Sequence, residues 1–369
     1  MSDILVYWKW LSKVLGAAAR NTDEVLEFVQ YNPVEAYEQM GVIYEQKLIT
    51  KNQYKNSQST TLEEVKTEIK KENDAGIQVI GYSDEFFPPL LRNISAPPLV
   101  LHVKGNIKYL HDNICISVVG TRRPSAYGNE VIDVIASGLA QAGVIVVSGL
   151  AAGLDSVAHK AAISRNLPTV AVVGGGLDIY YPAANRKLQQ LIEKFGAVIS
   201  EYSLGERPER HHFLERNRII AGLSHGLCVA EARKYSGTMS TVRYALDANR
   251  DVFAIPGSVF SPLSEGTNTL IKEGAYCVTS ADDILLVYGI NMHDDENHEE
   301  DTLQKLPEKA QVSETAKQVY THVNREEKNL ERICELTELS PAEVLAALSE
   351  LELEGLVLKL PGQRYTLHI

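Results

Sequence analysis

The chain has 369 residues, 44% of them hydrophobic and 23% charged, with a formal net charge of -12. That length admits two or three domains, and the composition excludes disordered and fibrous classes. No apolar run is long enough to span a bilayer and the start, MSDILVYWKWLSKVLG, is too polar for a signal peptide, so a cytoplasmic protein without membrane contact is expected.

Residues 1–75 read as a helical module. VYWKWLSKVLGAAA and TDEVLEFV have helical periodicity, and Asn32-Pro33-Val34-Glu35 is a helix start with a capping residue followed by proline. QSTTLEEVKTEIKKENDAG, 58–76, adds a polar amphipathic helix that Gly76 can stop. Between 76 and 105 two Pro-Pro pairs interrupt regular structure; QVIGY and LVLHVKG look like short strands in a connector packed against the next domain.

From 114 to 280 one rhythm repeats. ICISVVG, GVIVVSG, PTVAVVGGG, AVISEY, HGLCVAEA and DVFAIPG are short Val/Ile-rich runs, and helical patterns stand between them. Continuous apolarity in the strands marks a mostly parallel sheet of at least five strands, covered on both faces. The fold class is therefore α/β, with a Rossmann-like domain over 76–288. Residues 289–312 are acidic and aperiodic, which predicts a linker. Over 313–369 three helical patterns, a strand, a turn at Pro361-Gly362 and a second strand spell a winged-helix domain. Ser340 to Glu343 is a capping box there, and Val344, Leu345, Leu348 and Leu351 share one side of the helix it opens.

In an open parallel sheet, ligands sit outside the carboxyl ends of the strands. Those ends here carry Gly120-Thr121-Arg122-Arg123, Ser148-Gly149 through Gly153-Leu154-Asp155, and Gly174-Gly175-Gly176. Glycine lets the backbone approach an anion, and the next helix offers unpaired amides. Arg122 is expected to contact a phosphate. Arg123 either does the same or bridges to a sheet-end carboxylate such as Asp178. ERPERHHFLERNRIIAGLS, 206–224, is a basic patch in which Arg218 is the favoured phosphate contact and Asn217 lies near the first helical turns. Phe213 either stacks on a base or seats the helix. Ser236-Gly237-Thr238 opens another helix whose amides can face the crevice.

No Walker pattern occurs and no Gly-x-Gly-x-x-Gly is placed for a dinucleotide, so no cofactor is expected. Cys115, Cys228, Cys277 and Cys334 are far apart, which argues against a zinc knuckle or redox dithiol. Asp155 and His159 have the spacing of a proton-transfer pair, although the preferred roles are for Asp155 to cap or brace the glycine loop and for His159 to hydrogen-bond inside it. The overall acidity opposes nonspecific nucleic-acid binding, but residues 111–290 hold 16 Lys/Arg against 17 Asp/Glu and can still expose a basic face.

VVGTRRPSAYG, VVSGLAAGLDSVAHKAA, TVAVVGGGLDIYYPAANRKL, FLERNRIIAGLS, EARKYSGTMSTVRYALDANRDVFAIPG and EGTNTLIKEGA resemble, in order, the motifs of the DNA-processing protein A family, also called Smf. Two departures are Leu214, where many relatives have proline, and the additional Arg243. The resemblance implies an extended Rossmann-like core in a homodimer that binds single-stranded DNA without hydrolysing it. It also implies loading of RecA recombinase onto strands covered by single-strand-binding protein, during natural transformation and recombination. By the same resemblance Arg122, preceded by Thr121, contacts DNA, the SGLAxG loop falls on Ser148, Gly149 and Gly153, and the RNR motif on Asn217 and Arg218. The acidic third helix of the last domain, with Glu343, Glu350, Glu352 and Glu354, is expected to meet protein or the rest of the chain; wing residue Arg364 alone hints at nucleic acid. The competing reading is an enzyme similar to nucleotide-monophosphate phosphoribohydrolases, with Glu231 as its assisting carboxylate.

Overall fold

The computed structural model describes residues 3–290, 312–323, 328–337, 339–360 and 364–367. Two compact units emerge, Met1–Met292 and His293–Ile369. The first opens with helices α1 (Asp3–Leu15), α2 (Thr22–Phe28), α3 (Pro33–Glu38), α4 (Met40–Glu45), α5 (Lys51–Ser59) and α6 (Leu62–Asp74). Strands β1 (Gln78–Gly81) and β2 (Val100–Gly105), the short α7 (Tyr109–Asp112) and β3 (Cys115–Val119) follow. The chain then alternates through α8 (Ala126–Gln141), β4 (Ile145–Ser148), α9 (Leu154–Ile163), β5 (Thr169–Val173), α10 (Arg186–Phe195) and β6 (Ala197–Ser200). It continues with α11 (Arg210–Gly222), β7 (Gly226–Val229), α12 (Gly237–Asp247), β8 (Asp251–Ala254), α13 (Glu265–Lys272), β9 (Tyr276–Cys277) and α14 (Ala281–Val287).

All nine strands form one sheet in the order β1-β2-β6-β5-β4-β3-β7-β8-β9. From β6 to β9 every neighbouring pair is parallel. The apolar runs alternate between two buried faces: Ile116 and Val118 pack into one core, Cys115 and Val119 into the other. Burial on both sides is why these strands read as unbroken apolar runs. Chain order reverses direction at β3, whose neighbours are β4 on one side and β7 on the other, and this switch point opens a crevice at the carboxyl ends of the strands.

Residues 76–105 are not a connector. β1 and β2 extend the sheet by antiparallel pairing, with β2 against β6. The second proline of Pro88-Pro89 also starts a 3-10 helix, Pro89–Asn93, because its fixed φ suits the first turn. Nor do the helices of 1–75 stand apart as a module. Trp8 and Trp10 are buried in the same apolar core as Val79, Val100 and Leu101. Lys9 is ion-paired with Glu72, whose other oxygen lies 3.3 Å from His102 Nε2 on β2. The region expected as one helix from 58 to 76 is divided: Ser59 ends α5, Thr61 caps α6 with Glu64 completing a capping box, and Gly76 follows at φ +73°.

The second unit contains α15 (Glu314–His322), β10 (Lys328–Asn329), α16 (Leu330–Thr337), α17 (Pro341–Leu353), β11 (Val357–Leu360) and β12 (Arg364–Leu367), its sheet ordered β10-β12-β11. This is the winged-helix arrangement the sequence predicts. Ser340 and Glu343 form the expected capping box. Val344, Leu348 and Leu351 are buried as expected, whereas Leu345 faces solvent. Glu350 accepts bonds from Ser313 N (2.7 Å) and Oγ (2.6 Å) at the start of α15, so part of the acidic helix serves packing within the unit. The Pro361-Gly362 turn, and the acidic stretch 289–312 except residues 289, 290 and 312, lie outside the described residues.

Candidate nucleic-acid interface

Three adjoining clefts lie over the carboxyl ends of the parallel strands, and Arg122 lines each. The main cleft, about 270 Å³, is walled by Gly120, Thr121 and Arg122 after β3, Phe213 and Asn217 on α11, and Ser236 and Gly237 at the start of α12. A smaller cleft of about 70 Å³ adjoins it, with Gly149, Gly175, Tyr181 and Phe213 in its walls. An outer cleft of about 510 Å³ is lined by Thr121, Arg122, Arg123, Arg233, Ser261, Pro262 and Leu263.

The loop that carries Arg122 is held from three sides. Thr121 N donates to Glu231 O (2.9 Å), Leu154 N donates to Thr121 O (3.3 Å), and Ser125 donates through N (3.0 Å) and Oγ (2.6 Å) to the Glu231 carboxylate. Gly153, at φ +89°, is where only glycine fits: a Cβ there would stand 2.7 Å from Arg122 Cα and closer still to Thr121 O. With its base so fixed, the Arg122 side chain extends to solvent with its guanidinium 5.4 Å above the Phe213 ring. Tyr181 packs on that ring as well, at 5.3 Å between centroids. Arg122, Arg123 and Arg233 are all exposed, and none lies within ion-pair distance of a described carboxylate.

Beneath the cleft lies a buried cation. Arg216 Nη1 donates to Gly149 O (2.6 Å) and to Val172 O, and its guanidinium fills the space a Gly149 side chain would need. Burial lowers its pKa to about 10. Asp155, also buried in the cleft floor, accepts from Ala151 N (3.3 Å); burial raises its pKa against the attraction of Arg216. Asp155 thus braces the glycine loop. His159 Nδ1 lies 2.8 Å from Thr169 Oγ1 on β5, and no bond joins it to Asp155. Burial, then Arg216, holds its pKa down at about 3.

Most of the expected residues meet here: Gly120, Thr121, Arg122, Phe213, Asn217, Ser236 and Gly237 around the main cleft, Gly149 and Gly175 in its neighbour. Asn217 Nδ2 donates to Ser240 Oγ (3.1 Å), tying α11 to α12. Ser236 stands at the N-cap of α12 without making a side-chain cap bond, and its buried hydroxyl has no partner among the described residues.

Two expectations fail. Arg218 is buried, and its Nη2 donates to both oxygens of Glu201 at 2.6 Å, so it is an internal ion pair at the end of β6 and not a phosphate contact. Ser148 is wholly buried, its hydroxyl donating to Val118 O (2.6 Å) to join β4 to β3; the last residue of β4 points into the sheet's core. Arg123 belongs to the outer cleft alone, and its possible bridge to Asp178 is not formed, because that carboxylate accepts from Gly205 N at 3.0 and 3.1 Å. Arg233, Tyr181 and the Arg216 floor were not singled out in the sequence. Arg216 does lie within the noted basic patch, but its inward direction depends on helix phase.

Fold and cleft together define a doubly wound α/β protein with a rim of exposed arginines at its switch point. Residues 78–289 match the family model described as DNA recombination-mediator protein A, and 304–363 match a DprA winged helix domain model. The chain belongs to the DNA recombination-mediator protein A family. It is 45% identical over 202 residues to the DNA processing protein DprA of Streptococcus pneumoniae, an alignment covering 55% of this chain and 71% of that protein. The X-ray structure of DprA from the same organism superposes with a TM-score of 0.68 at 34% identity, over 78% of this chain and 98% of that one. DNA processing protein A from Helicobacter pylori, solved for its single-stranded DNA binding mode, gives a TM-score of 0.53 at 29% identity, over 58% and 97% of the two chains.

No helix among the described residues is long and apolar enough to cross a membrane. No cluster of three or more His, Cys, Asp or Glu among them has metal-holding geometry.

Proposed function

We propose that this protein binds single-stranded DNA at the Arg122 cleft without hydrolysing it. On the bound strand it loads a RecA-type recombinase, displacing single-strand-binding protein, as a cytoplasmic homodimer serving transformation and recombination. The observation that carries the reading is the exposed, unpaired Arg122 guanidinium above Phe213 at the switch point. A guanidinium beside an aromatic ring suits a strand that presents a phosphate and a base face together. The free start of α12 and the Ser236 hydroxyl supply further donors to an anion. The recombinase and homodimer parts rest on family membership. Glu231, the carboxylate a phosphoribohydrolase reading would use, is engaged by Ser125.

Fluorescence anisotropy with labelled single strands of unrelated sequence tests the binding. Arg122→Ala should weaken all of them by similar factors of about 10 to 150, as expected for loss of a hydrogen bond to a charged group. It should flatten the salt dependence by about 0.7 in log–log slope. Unchanged affinity in the variant, or equal affinity of the wild type at low and high salt, refutes the assignment.

A further inference from the structure

Loop 257–264, between β8 and α13, exposes apolar side chains that the fold has no use for. Phe260 is 93% exposed and Val259 81% exposed. The loop is nonetheless pinned. Gly257 N donates to Asn268 Oδ1 (3.2 Å) and Asn268 Nδ2 returns a bond to Gly257 O (3.0 Å). Ala232 N donates to Leu263 O (2.8 Å), and Ser264 N to Ser261 O (3.0 Å). A phenylalanine displayed in water on a braced loop is a preformed contact, since little ordering is left for a ligand to impose.

Residues 261–263 of this loop form one wall of the outer cleft; Arg122, Arg123 and Arg233 form another. The outer cleft shares Thr121, Arg122 and Arg233 with the main cleft, so the two are contiguous. Phe260 immediately precedes that wall in the chain, and charge of one sign followed by an exposed aromatic fits single-stranded nucleic acid, in which phosphates and base faces alternate. A protein partner would need a contact of roughly 800 Å² per side, far more than two apolar residues offer.

We propose that the strand held at Arg122 continues into the outer cleft, with a phosphate at Arg123 and a base stacked on Phe260, whatever its sequence. This rests on the reading of the Arg122 cleft as a single-strand site, and adds a second contact that only longer strands reach.

The test compares oligothymidylates about 6 and about 16 nucleotides long, inside the range of site sizes known for single-strand grooves. Phe260→Ala should weaken the longer strand about tenfold, within what base–aromatic stacking supplies, and leave the shorter within about twofold. Phe260→Trp should restore or exceed wild-type affinity for the longer strand. Arg123→Ala should flatten the salt slope by about 0.7 for the longer strand only. Wild-type binding of the longer strand by Phe260→Ala overturns the proposal, as does an equal loss on both lengths. Failure of the wild type to bind either length overturns the single-strand reading itself, whereas sound binding with no effect at Phe260 and Arg123 overturns only the extension.

Discussion

Arg218 provides the sharpest separation of a structural arginine from a DNA-contacting one. Its Nη2 reaches both Glu201 oxygens at 2.6 Å, and the two side chains are each 4% exposed. Arg218→Ala strands a buried carboxylate, which typically costs about 3–5 kcal/mol. With an m-value of roughly 3 kcal/mol per molar, suited to a large unit, the urea midpoint should fall by about 1 to 2 M. Replacing the pair together, Arg218→Met with Glu201→Leu, removes both charges and should return stability to within about 1 kcal/mol of wild type, since a buried pair contributes little over apolar residues of similar volume. Equilibrium urea unfolding followed by fluorescence gives these numbers, and single-strand anisotropy on the folded variants should show affinity within about twofold of wild type with the salt slope unchanged. The reasoning fails if Arg218→Ala leaves the midpoint in place while lowering affinity and flattening the salt slope, because the guanidinium would then be meeting phosphate and not Glu201.

Gly153→Ala should destabilise the first unit by about 2–4 kcal/mol, combining a disfavoured positive φ with overpacking against the Thr121–Arg122 backbone. Because it displaces the Arg122 loop, anisotropy should also register weaker DNA binding at temperatures where the variant remains folded; wild-type affinity in a destabilised variant would uncouple loop from site. His159, with a folded pKa of about 3 against an ordinary 6.5, contributes stability that is complete above pH 6.5 and is lost as pH falls toward 3. His159→Gln should therefore flatten the stability–pH curve between about pH 6 and 4 by about 1.4 kcal/mol per pH unit, read from urea midpoints at each pH; an unchanged slope would mean that this imidazole is already protonated in the native protein.

The mostly parallel sheet of at least five strands expected over 114–280 was legible because a strand buried on both faces needs unbroken apolar sequence, and the intervening helices keep their own period. Strand order was not, since Val/Ile-rich runs carry no label of their neighbours; β1 and β2 could be read as short strands but not placed in the sheet, because β2 pairs with β6, about a hundred residues away, and β1 only with β2. α5 lacks apolar periodicity and announces itself only through the Thr50–Gln53 capping box. At the site, Gly120 and Arg122 stood out because glycine and arginine directly after a buried strand have few packing uses. Arg216 and Arg218 could not be told from solvent-facing arginines. Their environment is set by Gly149, Val172 and Glu201, which reach α11 only through the tertiary fold.

The bonds from Ser125 and Thr121 to Glu231 have a kinetic consequence. They fasten the β3 lip of the crevice to the β7 lip across the line where the sheet changes winding direction, so the gap between them is set before any strand arrives. Encounter with DNA should then be a single-phase process, its rate governed by long-range attraction and ionic strength, with no slow closing step to follow.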